Sequence, residues 1–422
     1  RPAVDKVEAH RLPGGTVSAP PAPTSPAVRR RIARAVIGAA VVLALAGCSV
    51  ATPSTPSWSA TTAATSELPA ETTAALQGVL DDAIERGTFP GAIARVITPE
   101  GVWDGAVGTA GPGEDGAPTA TDITRVGSIT KTMTGTVLLQ LVGEGLLSLD
   151  DVVSKYIPDV PNGDVATLRQ VADMTSGIAS YSLSHAWQKE YFADPETQFT
   201  PEELVDFAKK LPVSFAPGEG WEYSNTNYIL LGLICEQVTG EPIADLFQER
   251  LFDPLGMTHT AYADPDGSVL PSPHLFGITE QGQPDGKTAD ATFWSPTVGS
   301  MAGQVYSTLD DLEKWGHALF TGEGILTPEM QQLRRDSILT SPPPNTATAG
   351  YGIAIGDRDG WWGHTGEIPG FNTALFHNYN LDATIIVVVN SDIPMSTGGD
   401  QPPNPAPFIQ GGIAQVLADA LG

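Results

Sequence analysis

Cysteine is almost missing from this chain. Two in 422 residues are too few to read a disulfide framework from, although such sparing use fits export. Metal-ligand spacing is absent as well: the seven histidines are scattered, and none forms an H-E-x-x-H or comparable cluster, so neither a metal nor any other cofactor is expected. Basic residues are scarce, 22 against 49 acidic ones, for a formal net charge of −27. A phosphate backbone calls for a basic face, so nucleic acid is excluded as a partner; the charge fits a solvated exterior better than any acidic ligand. Aromatics are modest at 7%, whereas Gly 45 and Pro 36 supply turns, and 41% apolar residues over this length suit one large globular domain or two to three average ones.

The scarce basic residues are unevenly spread. Seven of the 22 fall in the first 47 residues, with only two of the 49 acidic ones. Arg29, Arg30, Arg31 and Arg34 precede an uninterrupted small-apolar run, Ala35 to Ala46, which reads as a secretory signal too short to span a bilayer. The run ends Leu45-Ala46-Gly47-Cys48, similar to a bacterial lipobox, so Cys48 is the expected lipidation site and the protein is expected outside the cell membrane, held by its N-terminal lipid alone. Residues 1–27 are Pro/Ala-rich and begin without Met; an over-long start is expected, with Val28 as a candidate initiator. Residues 48–68 then form the lipidated cysteine and a flexible Ser/Thr/Pro/Ala tether, and 69–422 the folded domain. Cys235, inside an apolar run, is expected to be a buried structural thiol.

Within 69–422 the periodicity changes twice. Leu76, Val79, Leu80, Ala83 and Ile84 predict a helix ending near Arg86-Gly87. Ala92–Thr98 and Val102–Val107, separated by Pro99-Glu100-Gly101, predict a hairpin. From about 124 to 335 the pattern is mainly helical, with starts at Leu147–Val152, Thr167–Val171, Pro201–Leu211, 228–239, 243–251, Leu309–Phe320 and Thr327–Leu333. Strands return at Tyr351–Gly356, Phe371–His377 and Ala383–Asn390, the last the most strand-like stretch of the chain and so expected to be central, before a closing helix over about 406–421. The fold class that follows is α+β: an antiparallel sheet built from both chain ends, flanked by helices, with a mainly helical inserted subdomain.

Three short motifs carry chemistry. Ser128-Ile129-Thr130-Lys131 opens a segment in which Ile129, Met133, Val137 and Leu141 recur every fourth residue, so a helix over about 128–143 puts Ser128 at its N-terminus and Lys131 one turn on, on the same face. A buried lysine with a lowered pKa can take a serine's proton, and a helix start can hold an oxyanion. Taken alone, Ser is also an ordinary helix cap and Lys an ordinary solvated residue. Tyr223-Ser224-Asn225 lies in a loop where Tyr and Asn project to one side; packing and capping are the plain alternatives. His364-Thr365-Gly366 sits just before the terminal strands, where Gly366 would admit a substrate to the backbone and His364 would bring a proton or positive charge into a cleft; an exposed turn is the alternative. Each motif occurs once in the chain.

Their order and contexts resemble the serine β-lactamase-like family of class C β-lactamases, D-alanyl-D-alanine carboxypeptidases and related esterases, across roughly residues 70–420. Phe89-Pro90-Gly91-Ala92, Thr175-Ser176-Gly177 and Pro369-Gly370-Phe371 add to the resemblance. It implies a β-lactamase/transpeptidase-like fold and an acyl-enzyme on Ser128, with Lys131 and Tyr223 sharing the proton and Tyr223, as phenolate or relay, the favoured acceptor. Asn225 would hold the substrate amide, and His364, Thr365 and Gly366 would line the site. The backbone N–H groups of Ser128 and Glu367 would form the oxyanion hole. The implied substrate is a small peptide, ester or β-lactam, and the implied state a monomer. The leading expectation is a carboxypeptidase acting on cell-wall peptides; an esterase or amidase, a β-lactamase, or a non-catalytic penicillin-binding lipoprotein are the alternatives. Two departures bear on substrate: Glu367 stands where the carboxypeptidases carry a small hydroxyl residue, and only Arg358 is near enough in sequence to serve as their carboxylate-binding arginine.

Overall fold

The strand Ala383–Val389 is apolar on both faces because both faces are covered. It is the third of seven antiparallel strands, in the order Gly101–Gly108, Gly91–Thr98, Ala383–Val389, Phe371–Asn378, Trp361–Ile368, Gly356–Arg358, Ala349–Tyr351. The sheet therefore joins the two ends of the domain. In this computed structural model residues 67–265, 270–284, 286–396 and 402–421 are described; Cys48 and its tether fall outside them. On one face Ile385 and Val387 pack with Leu76 and Leu80 of the helix Ala70–Arg86 and with Ile409 and Ile413 of the helix Pro405–Leu421. On the other, Ile386 and Val388 meet Met133, Val137 and Trp315 of the helical region. Each fully buried aliphatic side chain contributes about 2 kcal/mol, so a one-residue slip of this strand would misplace every one of them.

The helix Thr130–Gly143 is the hub of the helical region. Eleven of its residues are buried, not one stripe, because its threonines satisfy themselves inside the protein: Thr132 and Thr136 donate to the carbonyls of Ile129 and Thr132 at 2.6 and 2.7 Å, and Thr134 donates to Met301 O at 2.6 Å. Trp315 Nε1 reaches Thr132 Oγ1 at 2.9 Å. Cys235 is buried in Asn225–Thr239 as expected, its thiol pushed up to about 12 by burial.

Several boundaries differ from expectation. Leu147–Val152 is not helical: Asp151 accepts from Ser148 N and Tyr156 Oη, Asp150 N bonds Ser148 Oγ, and these side-chain bonds make a turn that leads into a short 3-10 segment, Val153–Lys155. The helix expected from 228 starts at Asn225. The helix His185–Ala193 went unpredicted, and so did the small sheet of Thr124–Arg125, Val305–Ser307 and Ala261–Tyr262. Trp361–Ile368 is a full strand, so the His-Thr-Gly motif lies within it and not ahead of it.

Asn390, fully buried at the end of the central strand, fastens the two chain ends side chain to backbone. Its Oδ1 accepts from Gly91 N at 2.7 Å, and its Nδ2 donates to Thr109 O and Ala110 O at 3.1 and 2.9 Å. Asn390→Ala removes all three bonds and takes this partner from the buried Gly91 N–H and the part-buried Thr109 O, while Ala110 O keeps Phe276 N–H; it should cost on the order of 2 kcal/mol. Urea unfolding measures this, and an unchanged midpoint would contradict the role.

Candidate active site

Ser128 is the middle residue of a 3-10 turn, Gly127–Ile129, that leads directly into Thr130–Gly143. The turn can lie against the strand Trp361–Ile368 only because two residues lack side chains. A Cβ on Gly127 would sit 2.5 Å from Glu367 N, and one on Gly366 would sit 1.9 Å from Val126 O. Gly366 thus admits the protein's own backbone and not a substrate, which corrects the sequence-based expectation. Thr373 Oγ1 closes the same junction with a 3.0 Å bond to Val126 O. The result brings Ser128 beside Glu367, the pair implied for an oxyanion hole. Opposite Phe371–Asn378, the strand pairs only through Trp361, Trp362 and Gly363, so its edge from His364 onward has no strand partner among the described residues.

Lys131 is fully buried. Its Nζ lies 2.9 Å from Ser128 Oγ, 2.7 Å from Asn225 Oδ1 and 2.9 Å from Ala302 O. No carboxylate pairs with it among the described residues, and burial lowers its pKa well below the ordinary lysine value. A neutral amine has two N–H groups and one lone pair. Two carbonyl oxygens use the N–H groups, leaving the lone pair for the serine hydroxyl. Asn225, first residue of its helix, therefore holds the lysine as much as it faces the cleft.

Tyr223 hydrogen-bonds Ser128, and its ring lies 4.8 Å from Lys131 Nζ. Part of the ring edge is exposed, yet the phenol is crowded enough that burial pushes it up, with Glu367 adding repulsion. That is opposite to the depression a phenolate needs. His364 also differs from expectation. It is buried at 6% exposure, and burial pushes it down to about 3, so it carries no positive charge at neutral pH. Its Nδ1 faces Thr365 O and must hold the proton, which leaves Nε2 to accept from Tyr351 Oη at 3.0 Å. Tyr351 in turn packs edge-on against Tyr223. His364 acts as a neutral strut behind the tyrosine.

A cleft of about 370 Å³ opens over Ser128, between Tyr223, Asn225, Ala302, Gly303 and Glu367 on one side and Tyr181, Trp187, Tyr191 and Phe192 on the other. Trp187 stacks on Tyr191 with centroids 5.2 Å apart, making an aromatic wall. A larger cavity of about 580 Å³ lies past Tyr223, bounded by His364, Thr365, Arg358 and the C-terminal helix; it does not include Ser128, so the smaller cleft is the reactive one. Arg358 is on that second cavity, away from the serine. Sequence reasoning missed Ala302, Tyr351 and the aromatic wall. The Gly299-Ser300-Met301-Ala302-Gly303 run was the available signal for the first, since small residues mark close backbone approach.

The hydrogen-bond partners of Ser128 are an amine and a phenol, not an imidazole, which is the serine–lysine way of building a hydrolase nucleophile. A family model described as Beta-lactamase matches residues 76–406. The chain belongs to that family, whose members are serine hydrolases, and its mixed fold with a large antiparallel sheet is the β-lactamase/transpeptidase-like one. AmpH of Escherichia coli (strain K12), a D-alanyl-D-alanine-carboxypeptidase/endopeptidase, is 32% identical over 213 residues, 48% of this chain and 50% of AmpH. PbpX of Bacillus subtilis (strain 168) is 28% identical over 271 residues, 64% of this chain and 61% of PbpX; the matches thus span half to three-fifths of these relatives. Among solved structures, the D-stereospecific amidohydrolase from Streptomyces sp. aligns with TM-score 0.70 at 30% identity over 83% of this chain and 98% of its own. The D-amino acid amidase from Ochrobactrum anthropi SV3 aligns with TM-score 0.72 at 26% identity over 83% and 99%.

Glu367 yields a pH prediction. Its side chain is solvent-exposed, which weakens the effect, but crowding by the residues around it and repulsion from Asp392, against an opposing hydrogen bond from Asn404, still push its pKa up from 4.5 towards about 7. The folded state therefore disfavours its ionised form: the penalty is absent below about pH 4.5 and complete above about pH 7. Glu367→Gln should raise the melting temperature at pH 8 and leave it unchanged at pH 4. An equal shift at both values would contradict this.

Proposed function

We propose that this chain hydrolyses the amide bond on the carbonyl side of a D-amino acid, in peptides of the cell-wall type, through an acyl-enzyme on Ser128. D-Alanyl-D-alanine carboxypeptidase activity is one reaction of this kind. The observation that carries the proposal is the fully buried amine of Lys131 at 2.9 Å from Ser128 Oγ, with no carboxylate beside it among the described residues and its pKa lowered by burial. The names of AmpH and the two amidases supply the D-amino-acid class, and the Trp187–Tyr191 wall offers an apolar side chain a place to rest.

The steps follow from the partners of Ser128. Its Oγ attacks the carbonyl carbon as the hydroxyl proton passes to Lys131 Nζ. The carbonyl oxygen, now negative, is met by the backbone N–H groups of Ser128 and Glu367. The C–N bond breaks as the amine takes the proton of the Tyr223 phenol, which the Lys131 ammonium replaces. Water then adds to the serine ester and gives its proton to Lys131; the ester C–O bond breaks, and Ser128 Oγ recovers that proton. Lys131 is the base in this scheme and Tyr223 the relay, because burial favours the neutral form of both. An ester or β-lactam would enter by the same first step, so both remain competing substrates.

The protein is further proposed to act outside the cell membrane, anchored through Cys48, on the strength of the Arg29–Arg34 cluster, the apolar run and Leu45-Ala46-Gly47-Cys48.

Ser128→Ala should abolish covalent labelling by a fluorescent penicillin, and Lys131→Ala should slow it roughly a thousandfold. Label persisting on Ser128→Ala would overturn the nucleophile. Side-by-side kinetics on a D-Ala-D-Ala peptide, its L,L isomer, a nitrophenyl ester and a chromogenic cephalosporin test the substrate class; equal turnover of the two isomers, or turnover of the ester or cephalosporin alone, would contradict it. In cell fractionation Cys48→Ala should move the protein from membrane to medium, and unchanged retention would rule out the lipid anchor.

A further inference from the structure

Among the described residues lining the cleft over Ser128, Glu367 is the one carboxylate, and no lysine, arginine or histidine joins it. Its hydrogen-bond partner is the neutral amide of Asn404, and no cation pairs with it among the described residues. A second carboxylate, Asp392, acts on it by repulsion and is itself held by Thr279 Oγ1 at 3.0 Å and Gln281 Nε2 at 2.5 Å, both uncharged. Lys131 lies beneath the serine, fully buried, and does not line the cleft. Arg358 lines the separate cavity beyond Tyr223, flanked there by Asp357 and Asp359. The residue that brings a backbone N–H to the oxyanion position therefore also brings an uncompensated negative side chain to the reacting bond.

We propose that Glu367 is a specificity-determining residue that rejects substrates whose leaving group carries a carboxylate, so that the enzyme favours amidated or chain-internal D-aminoacyl bonds over a bond to a free C-terminal residue. This rests on the D-aminoacyl function proposed above and narrows it from carboxypeptidase towards amidase or endopeptidase. The physical basis is plain: Glu367 is solvent-exposed, yet two like charges within several ångströms at the mouth of a cleft repel each other, and the repulsion raises the barrier only for the anionic substrate. An uncharged leaving group meets Glu367 without penalty.

The test compares kcat/KM at pH 8 for two pairs of substrates in the wild type, Glu367→Gln and Glu367→Thr. One pair is an N-acylated D-Ala-D-Ala peptide with a free carboxylate and the same peptide as its C-terminal amide. The other is 4-acetoxy-3-nitrobenzoate, whose leaving group carries a carboxylate, and 4-nitrophenyl acetate, whose leaving group carries none. The wild type should prefer the uncharged member of each pair, and in Glu367→Gln, which keeps the shape and an acceptor for Asn404, that preference should fall about tenfold. Raising the salt should narrow the preference in the wild type and leave the Gln variant unmoved, a response a merely structural role would not give. Ratios that are equal in the wild type and both variants, or a wild type that turns over none of the four, overturn the proposal. If both peptides are inert while the ester pair responds, the D-peptide function falls and the charge selection stands.

Discussion

The burial of the Lys131 amine, with no counter-ion among the described residues, is the constraint on which the site depends. A charged ammonium in that position would cost several kcal/mol of desolvation with no carboxylate to offset it, so the fold favours the neutral amine, and the neutral amine has one lone pair to spend on Ser128. Everything that keeps water and carboxylates away serves that end: the packed helix Thr130–Gly143, the Ala302 carbonyl, the Asn225 amide and the rings of Tyr223 and Tyr228. The same low-dielectric setting keeps Tyr223 a phenol and His364 an uncharged imidazole. The neutral form is thus favoured for all three, and a proton can pass between Ser128, Lys131 and Tyr223 with His364 standing behind them as an uncharged support.

The sheet matters to this chemistry through one junction. Strands from both ends of the domain pair around Ala383–Val389, which fixes Trp361–Ile368 in the layer. The strand's glycine at 366 and the turn's glycine at 127 then let two backbones touch, setting Ser128 beside Glu367. The glycines are structural in their immediate contacts and catalytic in their consequence. Glu367 joins the two, its backbone against the Gly127 turn and its side chain in the cleft.

The long elements were legible in the sequence because their periods are long enough to count: Ala70–Arg86, the Gly91–Gly108 hairpin, Ala383–Val389 and Pro405–Leu421 lie where apolar spacing put them. The two- and three-residue strands were not, since such pieces have no period. Trp361–Ile368 was hidden because Gly363 and Gly366, needed for backbone contact, break the alternation that marks a strand. Ser128, Lys131, Tyr223 and Asn225 come together as the motifs suggested, but the protonation states did not follow from the motifs. A charged His364 and a phenolate at Tyr223 were reasonable for residues in an open cleft; Tyr351, distant in sequence, and the crowding around the lysine decide otherwise. Burial is a property of the assembled core, and short motifs carry no record of it.

The most direct test of Lys131 as the neutral base is the pH dependence of the acylation rate constant for a penicillin, in the wild type and in Tyr223→Phe. The rate should fall with acid along a single limb well below the ordinary lysine pKa of about 10.4, and Tyr223→Phe should lower the rate without moving that limb. A limb at the ordinary lysine value, or one that vanishes when Tyr223 is replaced, would contradict it.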